Sequence, residues 1–218
     1  MPGYDVKVQH VAVAGGDDLE IRSLLDRQQY ADPDGAAELA GISPACWPLF
    51  GQVWPSSQRL ADLMQTRPFA TGRTLEVGCG LALASLVLHR RGSDVTASDC
   101  HPLTESFLQD NLRRNDLPAM KYQSGNWTRA NPALGVFDMI IGSDVLYEPD
   151  HPEQLAGFID RHTAGPCEAL IVDPNRGNRR DFTRRMDRLG FALIESSLDA
   201  VASDGTSFRG RLLHFTRH

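Results

Sequence analysis

The sequence has no long hydrophobic run and few cysteines. No apolar stretch approaches the ~20 residues of a membrane-spanning helix, and the N-terminus lacks the core of a signal peptide. The four cysteines form no C-x-x-C pair and no metal-ligand spacing, and the seven histidines form no cluster with carboxylates. We therefore expect a cytoplasmic protein with free thiols, no bound metal and no membrane partner.

Positive charge is also scarce. The chain has 22 Lys and Arg residues against 28 Asp and Glu residues, a formal net charge of −6. This composition argues against a general nucleic-acid binder, because nothing offsets phosphate repulsion over the whole surface. The sequence has no repeats and no long linker. We expect a monomer in which an N-terminal hairpin and irregular extension, residues 1–50, precedes one larger domain, residues 51–218.

The most informative stretch, residues 74–86, reads T-L-E-V-G-C-G-L-A-L-A-S-L and predicts a strand, a glycine turn and a helix start. Such a turn lets backbone N–H groups approach a ligand. A dinucleotide fingerprint would place a third glycine at Leu83, and Glu76 would repel a pyrophosphate. A ligand with an amine and ribose hydroxyls fits better, and S-adenosylmethionine has both.

The rest of the chain alternates strands with helices after a hairpin at residues 4–23. This order predicts an α/β sheet with a largely parallel centre and two closing strands, with ligands beyond the carboxyl ends of the strands. The predicted helices are 58–64 (capped by Ser56 or Ser57), 81–91, 102–115, 151–162 and 179–189. The remaining predicted strands are 94–98, 120–124, 137–141, 169–172, 191–198 and 208–216, the last two joined by a loop through 203–205.

Several polar or aromatic residues fall at these predicted strand ends. Asp99 lies 21 residues after Gly78, where a carboxylate suits two hydrogen bonds from a ribose diol; the alternative is a cap for the following helix. Trp127 and Ser143-Asp144 follow later strands. Convergence of these residues at one edge of the sheet is the main physical argument for a ligand site there.

The chain resembles the class I S-adenosylmethionine-dependent methyltransferases, and more narrowly their protein-lysine methyltransferase-like branch (methyltransferase family 16, nicotinamide N-methyltransferase-like). The resemblance rests on G-Q-V-W-P-S-S-Q-R-L-A (51–61), L-E-V-G-C-G-L-A-L-A-S-L (75–86), S-D (98–99), G-N-W (125–127) and F-D-M-I-I-G-S-D-V-L-Y-E (137–148). It implies a Rossmann-like, seven-stranded, mostly parallel sheet flanked by helices, with the N-terminal β-hairpin as an extension.

The resemblance also implies roles for individual residues. Gly78, Cys79 and Gly80 would form a wall around the methionine part of S-adenosylmethionine, and Glu76 would stand near its ammonium group or orient the loop. Asp99 would hold the ribose. Trp54 would pack against the cofactor or merely anchor the core, Trp127 would lie along the adenine, and Ser143 would offer backbone contacts. The full set of cofactor-binding residues that the resemblance implies is Trp54, Glu76, Gly78, Cys79, Gly80, Asp99, Trp127 and Ser143. Many relatives have a glycine where this chain has Ala82, a change expected to cost little at a helix start.

The acidic-x-x-aromatic motif from Asp144 to Tyr147 marks the lysine-directed branch. If the chain turns helically there, both side chains face an incoming amine. Asp144 would then orient the ammonium group and help it lose a proton, while Tyr147 would shape the channel. In the alternative interpretation Asp144 caps a turn and Tyr147 is a packing residue.

The sequence therefore predicts an enzyme that methylates a protein lysine. The alternatives are a small-molecule acceptor, another protein nitrogen, or a silent binder of the cofactor. Two features have no assigned role. Asp173-Pro174-Asn175-Arg176 follows a strand, and the six arginines of residues 176–188 form either a solvated face or a dock for an acidic protein.

Overall fold

The computed structural model describes residues 4–28, 30–68, 72–201 and 207–218. Its helices are α1 (Ala36–Leu39), α2 (Pro55–Thr66), α3 (Leu83–Arg90), α4 (Thr104–Arg114), α5 (His151–Arg161) and α6 (Arg179–Arg188). Its strands are β1 (Val6–Val11), β2 (Leu19–Leu24), β3 (Arg73–Val77), β4 (Asp94–Ser98), β5 (Lys121–Tyr122), β6 (Phe137–Ser143), β7 (Thr163–Asp173), β8 (Ala192–Ser197), β9 (Ala200–Val201), β10 (Ser207–Phe208) and β11 (Arg211–Arg217).

Seven strands form the central sheet in the order β5-β4-β3-β6-β7-β11-β8. The strands from β5 to β7 are parallel, and β11 runs antiparallel between β7 and β8. The predicted Rossmann-like, mostly parallel sheet is therefore confirmed. Strand order reverses between β3 and β6, so the carboxyl ends of these two strands flank the crevice in which such sheets bind ligands.

The parallel strands are covered on both faces. Residues 74–77 of β3 are all buried, as expected where helices pack on both sides of a sheet. Leu75 and Val77 join a cluster with Phe158 of α5 and Phe182 of α6. Alternation along a strand sends Glu76 to the opposite face, which is covered by α2, α3 and α4.

The predicted N-terminal hairpin is confirmed as β1–β2, and its β2 strand packs on α4. Asn111 accepts the Arg22 N–H (2.8 Å) and donates to the Arg22 carbonyl (3.3 Å). Asn115, one turn later, makes the same pair of bonds with Glu20 (2.9 and 2.8 Å). Asn111 and Asn115, in α4 and at its C-terminal end, therefore supply hydrogen-bond partners for backbone groups at the outer edge of β2. Ile21 and Leu24 share one buried cluster with residues of α2, α3 and α4.

We expect Asn111→Ala to lower the free energy of unfolding by about 1–3 kcal/mol, because it leaves both backbone groups of Arg22 without partners in a partly buried site. Urea unfolding measures this change. Asn131→Ala, which removes one exposed hydrogen bond to the Ser124 carbonyl, is the matched control and should change stability by less than about 1 kcal/mol. Equal effects for the two variants would contradict the edge-capping role.

Some predicted elements were wrong in detail. Helix α2 begins at Pro55 after Trp54, with no side-chain cap, so neither Ser56 nor Ser57 caps it; the Ser57 hydroxyl donates to the Trp54 carbonyl instead (2.8 Å). The predicted strand 120–124 contains only two paired residues in β5. The connection between the two closing strands contains the ribbon β9–β10, while the predicted turn at 203–205 lies outside the described residues.

Candidate functional site

The glycine turn after β3 is closely packed on two sides. Gly78 and Gly80 have φ angles of 57° and 51°, a conformation that is easy only for glycine. A Cβ on Gly78 would lie 2.9 Å from Val145 Cγ1, and one on Gly80 would lie 2.9 Å from the Phe50 carbonyl oxygen. The turn therefore contacts the segment before α2 and the segment after β6, and neither position has room for a side chain.

Asp99 joins this turn to the end of β4. Its Oδ2 accepts the Gly80 N–H (2.9 Å), and its Oδ1 accepts the His101 N–H (2.9 Å). The side chain is nearly buried, with the residue 9% exposed, and burial raises the pKa of its carboxyl group. Helix α4 begins at Thr104 after Leu103 with no side-chain cap, so the alternative interpretation of Asp99 as a helix cap is wrong. Each oxygen keeps a lone pair. A glycine cradle beside such a carboxylate fits the amino-acid and ribose parts of S-adenosylmethionine.

Glu76 lies beneath the turn. It is 1% exposed, and its Oε2 accepts the Ser85 N–H in the first turn of α3 (2.8 Å). Burial raises the pKa of Glu76 to about 7, with the Asp99 charge acting in the same direction and the Ser85 hydrogen bonds against it. The carboxyl group therefore joins the end of β3 to the start of α3.

Because of this raised pKa, the contribution of Glu76 to the free energy of unfolding depends on pH. Between its ordinary value of 4.5 and about 7 the folded state binds more protons than the unfolded state, so the free energy of unfolding falls as pH rises through that window. Glu76→Gln cannot titrate and still accepts the Ser85 N–H. We expect its stability relative to wild type to rise by about 2 kcal/mol between about pH 5 and about pH 8, measured by urea unfolding. A difference independent of pH would contradict the buried, titrating carboxyl.

Ala82 departs from expectation. It precedes α3 with φ 58° and ψ 37°, the left-handed region that costs an L-residue about 1–2 kcal/mol. The prediction that alanine costs little here was wrong, because the residue is not yet helical.

A group of aromatic rings borders the glycine turn. A Cβ on Gly78 would lie 3.4 Å from Trp127 Cζ2, so the indole lies over the glycine turn. Its ring contacts the His151 ring with centroids 5.1 Å apart, and His151 contacts Tyr147 at 4.6 Å. His151 Nδ1 pairs with the Val145 carbonyl at 2.9 Å. Sequence reasoning missed His151, because nothing in its spacing shows that it links the two aromatic residues.

Trp54 contributes less directly. Its Nε1–H donates to the Leu49 carbonyl (2.9 Å), and the Arg27 guanidinium lies 4.4 Å from its ring centroid. These contacts fix the segment whose Phe50 carbonyl borders Gly80. They do not place the indole against the glycine turn itself.

The acidic-x-x-aromatic motif leaves β6 without forming a helix. Ser143 ends the strand beside Val172 of β7. Asp144 then has φ 54°, and its N–H donates to the Val172 carbonyl (2.9 Å). Residues 144–147 are irregular, so the helical turn that would have brought Asp144 and Tyr147 to one face does not form. Asp144 does not cap a helix either, because both of its oxygens bind Arg176, Oδ1 to Nε (2.7 Å) and Oδ2 to Nη2 (2.9 Å).

Tyr147 is 39% exposed. Burial of part of the side chain raises the pKa of its hydroxyl, and the charge of Asp99 acts next in the same direction. The Tyr147 ring contacts the ring of His151, which in turn contacts Trp127 beside the glycine turn.

A second loop holds the motif in place. After β7, Asp173 Oδ1 accepts the Arg176 N–H (2.8 Å), and Asn178 Nδ2 donates to the carbonyls of Leu146 (3.0 Å) and Glu148 (2.9 Å). The sequence placed 173–176 at a strand end but left its role open. The structure shows that it clamps the loop after β6.

The described residues contain no group of three or more His, Cys, Asp or Glu side chains that could hold a metal ion. They also contain no helix long and apolar enough to cross a bilayer. All four cysteines are free thiols, among them buried Cys79 in the glycine turn.

Comparisons with known proteins agree with this geometry. A family model described as "Lysine methyltransferase" matches residues 50–188. The chain is 26% identical over 168 residues to protein N-lysine methyltransferase METTL21A of Xenopus tropicalis, covering 73% of this chain and 76% of that protein. It is 30% identical over 112 residues to histone-arginine methyltransferase METTL23 of Xenopus laevis, covering 47% of each. The chain thus spans about three quarters of one relative and about half of the other.

Solved structures show the same fold at low identity. A SAM-dependent methyltransferase from Methanosarcina mazei has a TM-score of 0.58 at 12% identity, covering 76% of this chain and 98% of that one. The N-methyltransferase NodS from Bradyrhizobium japonicum, in complex with S-adenosylhomocysteine, has a TM-score of 0.58 at 14% identity, covering 74% and 85%. With well over half of its length matched by the family model, the chain belongs to this lysine methyltransferase family of S-adenosylmethionine-dependent methyltransferases.

Proposed function

We propose that the protein methylates the side-chain nitrogen of a lysine in another protein, in the cleft where β3, β4, β6 and β7 end. One observation carries this proposal. Val145, within the Asp144–Tyr147 motif, lies against Gly78 of the cofactor turn, where an added Cβ would come within 2.9 Å of Val145 Cγ1. The proposed donor and acceptor sites are therefore in direct contact.

The cofactor half of the proposal assigns the residues around the turn. Backbone groups of Gly78, Cys79 and Gly80 would surround the methionine part, and the free lone pairs of Asp99 would accept the ribose hydroxyls. Trp127 would lie along the adenine, with backbone contacts from Ser143. Trp54 and Glu76 would support the pocket from behind, Trp54 through Leu49 and Glu76 through the start of α3.

The acceptor half of the proposal concerns removal of a proton from the lysine ammonium group. Lysine has an unperturbed pKa of ~10.4 and reacts only as the neutral amine. S-adenosylmethionine supplies the methyl group: the amine lone pair forms the N–C bond while the C–S bond breaks, and the sulfur keeps that electron pair as a neutral thioether. Asp144 would orient the nitrogen and pass its proton towards water, and Tyr147 would border the channel. The described likeness to an N-lysine methyltransferase supports this acceptor class.

A second candidate is methylation of another protein nitrogen or of a small molecule. The specific observation in its favour is that Arg176 occupies both oxygens of Asp144, which weakens the attraction of that carboxylate for a cationic acceptor and so favours an uncharged one, such as a neutral small molecule. The likeness to histone-arginine methyltransferase METTL23 also keeps this candidate open.

We further propose a cytoplasmic monomer, with residues 1–50 as an extension and residues 51–218 as the methyltransferase domain. The four free thiols suit a reducing compartment. The net charge of −6 disfavours a nucleic-acid partner.

The test is transfer of a labelled methyl group from S-adenosylmethionine to proteins of a cell extract, followed by mass spectrometry of the labelled band. Methyl-lysine in one band supports the proposal. Label on arginine, on another residue or in the small-molecule fraction supports the second candidate. Calorimetric binding of S-adenosylhomocysteine without any transfer would indicate a silent binder and overturn both.

A further inference from the structure

Arg176 and Asp144 form a bidentate ion pair at the proposed acceptor side of the cleft. Two parallel hydrogen bonds of 2.7 and 2.9 Å join the guanidinium to the carboxylate, a geometry that restricts orientation as well as distance. The Asp144 side chain is 11% exposed and that of Arg176 is 41% exposed, so the carboxylate lies inside and the guanidinium covers it.

The loop after β7 is built to present this guanidinium. Asp173 Oδ1 accepts the Arg176 N–H (2.8 Å), which turns the chain back towards β6. Asn178 then holds the carbonyls of Leu146 and Glu148. The two loops are therefore fixed to each other at three points, and Arg176 makes the only one of these contacts that reaches a charged side chain of the motif.

This arrangement bears on the chemistry of an amine acceptor. A lone carboxylate beside a lysine favours the charged ammonium form and so raises the pKa of that lysine. The reaction needs the opposite, since only the neutral amine carries a free lone pair. A cation bound to the same carboxylate offsets its field, while the carboxylate oxygens keep lone pairs that can accept an N–H from the acceptor.

We propose that Arg176 is a positioning residue of the transfer site: it fixes the Asp144 carboxylate and offsets its charge, so that Asp144 orients the acceptor nitrogen without holding its proton. This inference rests on the proposed lysine methylation. It assigns a role to the Asp173–Arg176 segment and makes the ion pair part of the acceptor site.

The first test needs no turnover. In the full-length protein, the Arg176 side-chain Nε–H should give a distinct ¹⁵N-detected NMR signal with slow hydrogen exchange, because it is bonded to Asp144 Oδ1. Asp144→Asn should accelerate that exchange. Arg180, exposed in the first turn of α6, is the internal reference. If the Nε–H of Arg176 exchanges as fast as that of Arg180, the proposed ion pair between Arg176 and Asp144 is wrong.

The second test uses labelled methyl transfer to the acceptor band of the cell extract. Arg176→Gln should lower kcat by about tenfold at neutral pH, with KM for the extract acceptor unchanged or lower. Its pH–rate profile should move up by about one unit, because an acceptor whose pKa rises by one unit has tenfold less neutral amine. Calorimetric affinity for S-adenosylhomocysteine should not change.

Arg176→Lys should recover the pH profile of wild type, because it restores the positive charge, but only part of kcat, because it cannot form the paired bonds. Arg180→Gln is the matched control and should change neither parameter. A loss of cofactor affinity in Arg176→Gln with an unmoved pH profile would overturn the inference in favour of a merely structural role.

The two proposals fail in different ways. Wild-type protein that labels no lysine, while the Arg176 signal is protected, would overturn the lysine assignment and with it the charge-offset role, leaving only the ion pair. Wild-type protein that labels a lysine while Arg176 exchanges freely would overturn the positioning role alone.

Discussion

Gly80→Ala should weaken binding of S-adenosylhomocysteine by about 100-fold, equivalent to about 2.7 kcal/mol, and should also lower the stability of the protein. Gly80 has φ 51°, and an added Cβ would lie 2.9 Å from the carbonyl oxygen of Phe50. A backbone atom cannot rotate away as a side chain can. The substitution must therefore move the turn or the segment before α2, and either shift displaces the N–H that Asp99 accepts.

Gly92→Ala separates backbone strain from this close approach. Gly92 has φ 82°, but nothing lies within 4 Å of the position of an added Cβ. The variant should lose about 1 kcal/mol of stability through strain alone and bind S-adenosylhomocysteine as wild type does. Isothermal titration calorimetry and urea unfolding measure both quantities. Equal cofactor affinity in the two variants would mean that the glycine turn does not form the pocket.

Asp144→Ala should reduce labelled methyl transfer by about 100-fold or more, the range typical of lost general acid–base or orienting groups, while S-adenosylhomocysteine still binds. Asp144 directly follows β6 and precedes Val145, whose side chain lies against Gly78 of the glycine turn. Its removal takes away the group that would orient the acceptor and leaves the Arg176 guanidinium unpaired and facing the acceptor nitrogen. That unpaired cation disfavours any positively charged acceptor.

Asp181→Ala is the matched control, because it also removes an aspartate paired with arginine. Asp181 Oδ2 pairs with Arg185 Nε at 2.9 Å on the surface of α6, and exposed pairs of this kind contribute little to stability. This variant should transfer methyl groups at the wild-type rate. If Asp144→Ala binds the cofactor and transfers methyl groups at the wild-type rate, the catalytic assignment of Asp144 is wrong.

Local signals in the sequence were sufficient for much of the fold. The bounds of β4 were predicted residue for residue, and α5 and α6 were predicted to within one residue at each end. Apolar periodicity and the Gly or Pro residues that end helices and strands depend only on residues close in the sequence, so tertiary contacts do not change what they predict. The predictions failed at Ala82 and at the Asp144 motif, where the backbone adopts positive φ; at Asp144 the N–H donates to the Val172 carbonyl of β7, a contact that no local pattern reveals.

The sequence by itself determined that this chain forms a largely parallel α/β sheet, that a glycine turn follows β3 and that Asp99 and Asp144 each come directly after a strand of that sheet. Strand ends are set by local pattern, and parallel strands bring them to one edge. Only the tertiary structure decided that Phe50 closes on Gly80, that His151 links Trp127 to Tyr147, and that Arg176 clamps Asp144 from 32 residues away. Apart from the contact between Tyr147 and His151, those contacts join segments far apart in the chain, so no local spacing in the sequence encodes them.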